Sequence, residues 1–167
     1  LNGNNRTIIP TVFFGGNPRW SRNAESFVIF TNRPSNLNNS LRRVTPNGNE
    51  NIAIATALSG QFIQRSDVID DNHVIFFQSA VGSTADLFIK DMRNSDPPLN
   101  ITNTPDVDER HPVVSHDGQL IAFLMHAGPD PPAEEIHIAR LALPGTLTAL
   151  HVFRMSPPAG TFIHSFD

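Results

Sequence analysis

The 167-residue chain contains no cysteine and no tyrosine, and only 17% of its residues are charged. The absence of cysteine excludes disulfide bonds, thiolate catalysis and cysteine-ligated metal centres, and it leaves the redox compartment open. No apolar run approaches the ~18 residues of a membrane-spanning helix, so we expect no membrane span. Twelve basic residues against 16 acidic ones give a net charge of −4, which argues against a nucleic-acid-binding face.

Helical patterning is also missing, and β-strand patterning takes its place. No stretch carries apolar residues at helical spacing over three turns, and the 14 prolines disfavour long helices. Short apolar runs such as Phe27–Phe30 and Val74–Phe77 alternate instead with polar turns. A run of that length, bounded by turn residues, is typical of a strand that is covered on both faces. We therefore predict an all-β fold.

A strand–turn–strand unit occurs three times at nearly constant spacing. The first strands of the copies end at residues that we treat as equivalent, which are Phe30, Phe77 and Phe123. A period in the forties with at least two strands per copy is typical of propeller blades. We expect antiparallel blades at about residues 17–57, 58–104 and 105–153, with terminal strands at 7–14 and 160–167, in a single domain over 1–167.

The number of blades is too small for a closed ring. At about 45 residues per blade the chain holds three to four blades, whereas closed propellers have roughly 4–8. The prediction is therefore a partial or oligomer-completed propeller.

The third copy carries the most specific motif. Its turn contains Pro112, Ser115, Asp117 and Gly118, and the strand Ile121-Ala122-Phe123 follows. This pattern resembles the TolB-like β-propeller repeat, and weaker versions occur in the first two copies. The resemblance implies a rigid binding or assembly platform, usually for protein partners, and it transfers no catalytic residues.

Residues with catalytic potential have a simpler structural interpretation. We interpret the serines of the repeat (Ser21, Ser66 and Ser115) as hydrogen-bonding partners of the turn backbone. Ser115-His116-Asp117 contains the three residue types of a catalytic triad, but adjacent residues cannot converge on one another. Trp20 is expected in the core. We predict no enzymatic activity.

No cofactor loop or metal motif is present. The acidic pairs are interpreted as solvated turns, and the alternative is a bound calcium ion at Asp106 and Asp108, although the spacing of a calcium-binding loop is missing. The seven histidines do not form ligand pairs at zinc-site spacing. We expect no cofactor.

Three Asn-x-Ser/Thr sequences, at Asn5, Asn38 and Asn100, are acceptors for N-linked glycans if the chain enters a secretory pathway. They favour an extracellular or periplasmic location.

The favoured function is a structural protein that associates with copies of itself by β-strand completion, into a ring or a filament. The predicted assembly segment is apolar and contains Ile8, Ile9, Val12, Phe13 and Phe14. Two alternatives stay open, a protein-binding fragment of a longer TolB-like propeller and the accessory propeller of a hydrolase.

Overall fold

The computed structural model describes residues 15–23, 26–32, 39–127 and 133–155. These ranges contain twelve β-strands and no helix, so no helix in them is long enough to cross a bilayer. The predicted terminal strands at 7–14 and 160–167 lie outside the described residues.

The strands form three antiparallel sheets of four strands each, and sequential strands are neighbours. Blade 1 contains β1 (Gly15–Trp20), β2 (Val28–Asn32), β3 (Ser40–Val44) and β4 (Asn51–Thr56). Blade 2 contains β5 (Gln61–Val68), β6 (His73–Ala80), β7 (Ala85–Asp91) and β8 (Leu99–Asn100). Blade 3 contains β9 (Asp108–Val114), β10 (Leu120–Ala127), β11 (Ala133–Ala142) and β12 (Thr146–Met155). The predicted fold class, an unclosed all-β array of propeller-type blades, is confirmed.

The core lies between the blades and is divided into two clusters by blade 2. Val74 and Phe76 pack with blade 1, while Ile75 and Phe77 pack with blade 3. All four side chains are at most 3% exposed. Both faces of β6 are therefore covered, which explains why its sequence is continuously apolar rather than alternating.

The structure corrects the alignment of the repeats. The last residues of the first strands, Trp20, Val68 and Val114, pair with residues at or next to the starts of the second strands, Val28, Val74 and Ile121. Counting two residues onward makes Phe76, and not Phe77, the equivalent of Phe30 and Phe123. The intervening turns hold seven, five and six residues (21–27, 69–73 and 115–120), which hides a one-residue offset. A one-residue slip in a strand moves a side chain to the other face, so Phe77 faces blade 3.

The first strand of each blade also contains a bulge, which lies opposite Phe30, Phe76 or Phe123. The pairing register shifts there in all three blades, and the bulged residues have positive φ at Asn17 (55°), Arg65 (27°) and His111 (53°). A bulge bends a strand and increases its twist. Its recurrence in β1, β5 and β9 gives the three blades the same local bend.

Gly118 allows a close approach between blades 2 and 3. It lies in the turn between β9 and β10 with φ at 74°, and a Cβ atom there would be 2.7 Å from the carbonyl oxygen of Ile69. Only glycine adopts this conformation without strain and leaves that space free.

Candidate interaction surface

Trp20 lies at the position where blades 2 and 3 make their contacts with the preceding blade. Its equivalents Val68 and Val114 are 1% and 6% exposed and belong to the clusters between blades, whereas Trp20 is 59% exposed. Among the described residues no blade precedes blade 1. The prediction that Trp20 belongs to the core is therefore wrong, because its face lacks the neighbouring blade that buries the equivalent valines.

Arg22, which follows Ser21, connects the part of blade 1 next to Trp20 with blades 2 and 3. Arg22 Nε donates to the carbonyl oxygen of Val68 at 2.9 Å, and its two Nη atoms reach the carbonyl oxygens of Val114 and His116 at 3.4 Å each. One guanidinium group thus bonds to backbone oxygens at the ends of β5 and β9. The backbone next to Trp20 is consequently held against blades 2 and 3.

Other polar side chains join the blades through backbone groups. The side-chain amide of Asn39 binds the backbone of Ile63 twice, accepting from its N–H at 2.8 Å and donating to its carbonyl oxygen. Asp67 Oδ2 accepts from the N–H of Val114 at 2.7 Å. Buried or half-buried hydrogen bonds of this kind fix relative position more than they add net stability, so the array is suited to present a rigid surface.

The turn serines behave as predicted in two of three cases. Ser21 Oγ donates to the Asn23 carbonyl oxygen, and Ser115 Oγ accepts from Leu120 N–H at 2.9 Å and donates to Asp117 Oδ1 at 2.7 Å. The expectation for Ser66 is wrong, because Ile69 is the residue of blade 2 that corresponds to Ser21 and Ser115, and Ser66 lies three residues before it, inside β5. It is 2% exposed there and makes no turn hydrogen bond.

The two candidate calcium ligands lie in different environments. Asp106 is exposed in the turn before β9, while Asp108 accepts from Ala85 N–H at 2.8 Å and pairs with Arg110 at 2.7 Å. In the described ranges no group of three or more His, Asp or Glu side chains is arranged to hold a metal ion. The carboxylate of Asp108 thus serves the contact between blades 2 and 3.

Of the glycan acceptors, Asn5 and Asn38 lie outside the described residues, as do all five predicted assembly residues between Ile8 and Phe14. Asn100 is described and half-buried in β8. Its Nδ2 atom, to which a glycan would be attached, donates to Asp86 Oδ2 at 2.9 Å.

Sequence reasoning missed two titratable groups in β9, buried Glu109 and half-buried His111. Glu109 is 1% exposed, and burial raises its pKa to about 7, with Asp86 and Asp108 adding to the effect. His111 lies edge-on to the ring of Phe77 with centroids 5.6 Å apart, and burial lowers its pKa to about 4. The bulge at His111 changes the spacing between buried residues of β9 from two to three. Glu109 therefore falls outside the alternating pattern by which buried strand positions are recognised in a sequence.

Comparison with known proteins finds no matching family model and no matching curated protein. Three solved structures are similar to the chain. The first is described as a TolB from Agrobacterium tumefaciens, with a TM-score of 0.64 at 10% identity over 87% of this chain and 52% of that one. The second is TolB from Acinetobacter baumannii, with a TM-score of 0.54 at 14% identity over 89% and 39% of the two chains. The third is prolyl oligopeptidase B from Galerina marginata, with a TM-score of 0.46 at 10% identity over 84% and 26%.

Identities of this size show the fold alone. The chain spans about half the length of the first TolB structure and less of the second. The sheet order, the interblade core and the similarity to the two TolB structures lead to one conclusion: the chain has a TolB-like β-propeller fold, and its described residues form three blades of it.

Proposed function

We propose that the chain is a non-enzymatic protein-binding platform that meets its partner through the face of blade 1 at Trp20. The observation that carries the proposal is the 59% exposure of Trp20, at a position where the equivalents Val68 and Val114 are buried by a neighbouring blade. Large exposed aromatic side chains are typical anchors of protein interfaces. The occupant that this face fits best is another β-blade.

The favoured source of that blade is a longer TolB-like propeller of which these three blades are a part. The present chain covers only 52% and 39% of the two TolB structures, which supports this source. The second candidate is a copy of the same chain, which associates head to tail, because blade 1 repeats the strand order of the blades that already stack.

Light scattering combined with tryptophan fluorescence tests self-association. Trp20 is the single tryptophan of the chain, so its emission reports directly on this face. Self-association predicts a mass that grows with concentration and an emission maximum that moves to shorter wavelength. Trp20→Ser should abolish the growth in mass, whereas Leu58→Ser, at a 70% exposed site between blades 1 and 2, should keep it.

A chain that stays monomeric at every concentration rejects the second candidate and leaves the first. Intact mass of the native protein then decides, since a mass far above 18.4 kDa supports a longer propeller. A native protein of this mass that is monomeric and keeps Trp20 exposed contradicts both candidates.

The proposal includes an extracellular or periplasmic location, and its second candidate, self-association, includes strand exchange by the segment 4–14. Glycopeptide mass spectrometry of native material tests the first point at Asn5, Asn38 and Asn100, and three unmodified sites would remove its main support. Deletion of residues 1–14 tests the second. We expect a folded chain that no longer assembles, and normal assembly of the truncated chain would refute strand exchange.

The proposed absence of catalysis rests on the arrangement of the turn residues. The hydroxyl of Ser115 is hydrogen-bonded within its own turn, to Asp117 and Leu120. A nucleophile needs a base within hydrogen-bond reach and an orienting group behind that base. Reproducible turnover that disappears with a single Ser, His or Asp substitution would overturn this part of the proposal.

A further inference from the structure

A cavity of about 260 Å³ lies between the segment that leaves blade 2 and the sheet of blade 3. Its walls are largely apolar and include Ile101, Phe123, Met125 and Leu147. Ala149 is exposed at its rim. At ~30 Å³ per water molecule the space corresponds to roughly nine waters, which is enough for a small organic molecule.

One end of the cavity is acidic. Glu109 contributes to the wall, is 1% exposed, and accepts a hydrogen bond from Thr104 Oγ1 on one oxygen. Its second oxygen, Oε2, is buried and has no hydrogen-bond partner of normal geometry among the described residues, although the Thr102 side chain also acts to lower the pKa of the carboxyl group. A buried polar atom of this kind requires an explanation such as a missing partner.

Asp86 lies behind the same end and increases its negative charge. Its Oδ1 atom accepts from Thr104 N–H at 3.0 Å and from Thr102 Oγ1 at 3.3 Å, and both threonines line the cavity. Within the described part of the chain neither Asp86 nor Glu109 forms an ion pair. The third nearby carboxylate, Asp108, is already paired with Arg110.

We propose that this cavity binds a small organic cation, a primary ammonium group carried on an apolar body. The ammonium group would supply Glu109 with the missing partner and balance the charge of Asp86, since a buried carboxylate is stabilised by a hydrogen-bonded cation. The apolar body would lie along Phe123 and Met125. An anionic ligand is disfavoured, because its charge would add to that of two unpaired carboxyl groups.

The other polar wall residue fits the same ligand class. His137 is bonded through Nε2 to Glu135 at 2.9 Å, and its ring lies 5.5 Å from that of Phe123. The two rings form an aromatic surface beside the acidic end. The face of a phenylalanine ring attracts cations and also packs against apolar groups.

The probe for the test is 2-phenylethylamine, and its neutral control is 2-phenylethanol, which has nearly the same shape. Methionine methyl NMR follows binding, because Met125 lines the cavity whereas Met92 packs in the other core cluster. The titration is made at about pH 8, above the pKa of Glu109 at about 7, so that the carboxyl group is largely ionised. We expect a saturable shift of the Met125 signal with the amine and a stationary Met92 signal.

Two variants separate the effect of charge from that of cavity shape, and a third is the control. Glu109→Gln keeps the acceptor for Thr104 and removes the charge, so amine affinity should drop at least tenfold while binding of the alcohol stays unchanged. Leu147→Trp fills the cavity and should abolish binding of both compounds. Glu50→Gln changes an exposed carboxyl group in blade 1 and should leave both affinities unaltered.

Three results overturn the proposal: an unmoved Met125 signal in the wild-type chain, equal amine affinities in the wild-type and Glu109→Gln proteins, or equal shifts of Met92 and Met125. If Glu109→Gln does not fold, Leu147→Trp and the comparison of amine with alcohol in the wild-type chain decide. Equal affinity of the wild-type chain for amine and alcohol then refutes the cationic ligand.

Discussion

Glu109 and His111 should give the blade 2–3 contact two opposite pH dependences. Burial raises the pKa of Glu109 from 4.5 to about 7 and lowers that of His111 from 6.5 to about 4. Asp86 and Asp108 reinforce the first shift, while Arg65 and Arg110 reinforce the second. Both side chains lie on β9, so their effects act on the same interface.

Whether the free energy of unfolding rises or falls with pH depends on whether the folded or the unfolded chain binds more protons. Between about pH 4.5 and 7, folded Glu109 keeps a proton that the unfolded chain has lost, so its contribution to stability declines as pH rises. Between about pH 4 and 6.5, the unfolded chain protonates His111 while the folded chain does not, so that contribution grows as pH rises. At 1.36 kcal/mol per pKa unit, Glu109 contributes about 3 kcal/mol and half-buried His111 at most about the same amount.

The two effects should largely cancel in the wild-type chain and appear separately in single variants. Glu109→Gln should become more stable as pH rises from about 4 to 6.5. His111→Asn should become less stable from about 4.5 to 7. Asparagine is a suitable replacement because Asn17 occupies the equivalent bulge with φ at 55°, and asparagine tolerates this conformation.

Urea unfolding across the pH range measures both trends, with the double variant as the reference for all other titrating groups. Constant offsets, such as the loss of the His111–Phe77 ring contact, do not affect the slopes. The reasoning is refuted if the plots of unfolding free energy against pH for the single variants run parallel to that of the double variant to within about 0.5 kcal/mol.

Phe76→Ala should cost about 3–5 kcal/mol through a cavity between blades 1 and 2, whereas Val81→Ala at a 76% exposed site should change little; chemical denaturation measures both, and a Phe76 cost below about 1 kcal/mol would contradict its place in that core cluster. Asn39→Ala leaves the buried N–H and C=O of Ile63 without their side-chain partner, so chemical denaturation should show a loss of about 1–3 kcal/mol per group. An unchanged stability would show that water replaces the amide. Gly118→Ala should lower the melting temperature because the new methyl group meets the Ile69 carbonyl oxygen; an unaltered melting temperature would mean that the blades separate there without cost.

The sequence predicted the architecture because the signals that define blades are local. The polar turn with Ser115 and Gly118 forms as expected, with Gly118 N–H donating to the Ser115 carbonyl oxygen at 2.9 Å. The continuous apolar run of β6 correctly indicated a strand covered on both faces. Strand number and order follow from such signals without knowledge of distant contacts.

Registers and site residues depend on features that the sequence pattern hides. The unequal turns before β2, β6 and β10 shifted the second copy by one residue, which misplaced Phe77, and Ser66 lies three residues before the position that corresponds to Ser21 and Ser115. The bulge in β9 concealed Glu109, and the exposure of Trp20 depends on a blade that is missing from the described array. Each of these errors concerns a relation between strands, which period and composition do not encode.

Arg22 shows why the three blades form part of a propeller rather than a linear stack. In a linear stack a side chain of blade 1 would reach only blade 2. Its guanidinium group instead contacts carbonyl oxygens of both β5 and β9, at Val68 and Val114. The ends of the first strands must therefore converge at one end of the array, as they do around a propeller axis. Trp20 is two residues from this point of convergence, so a blade that covers it would continue the same curvature toward closure.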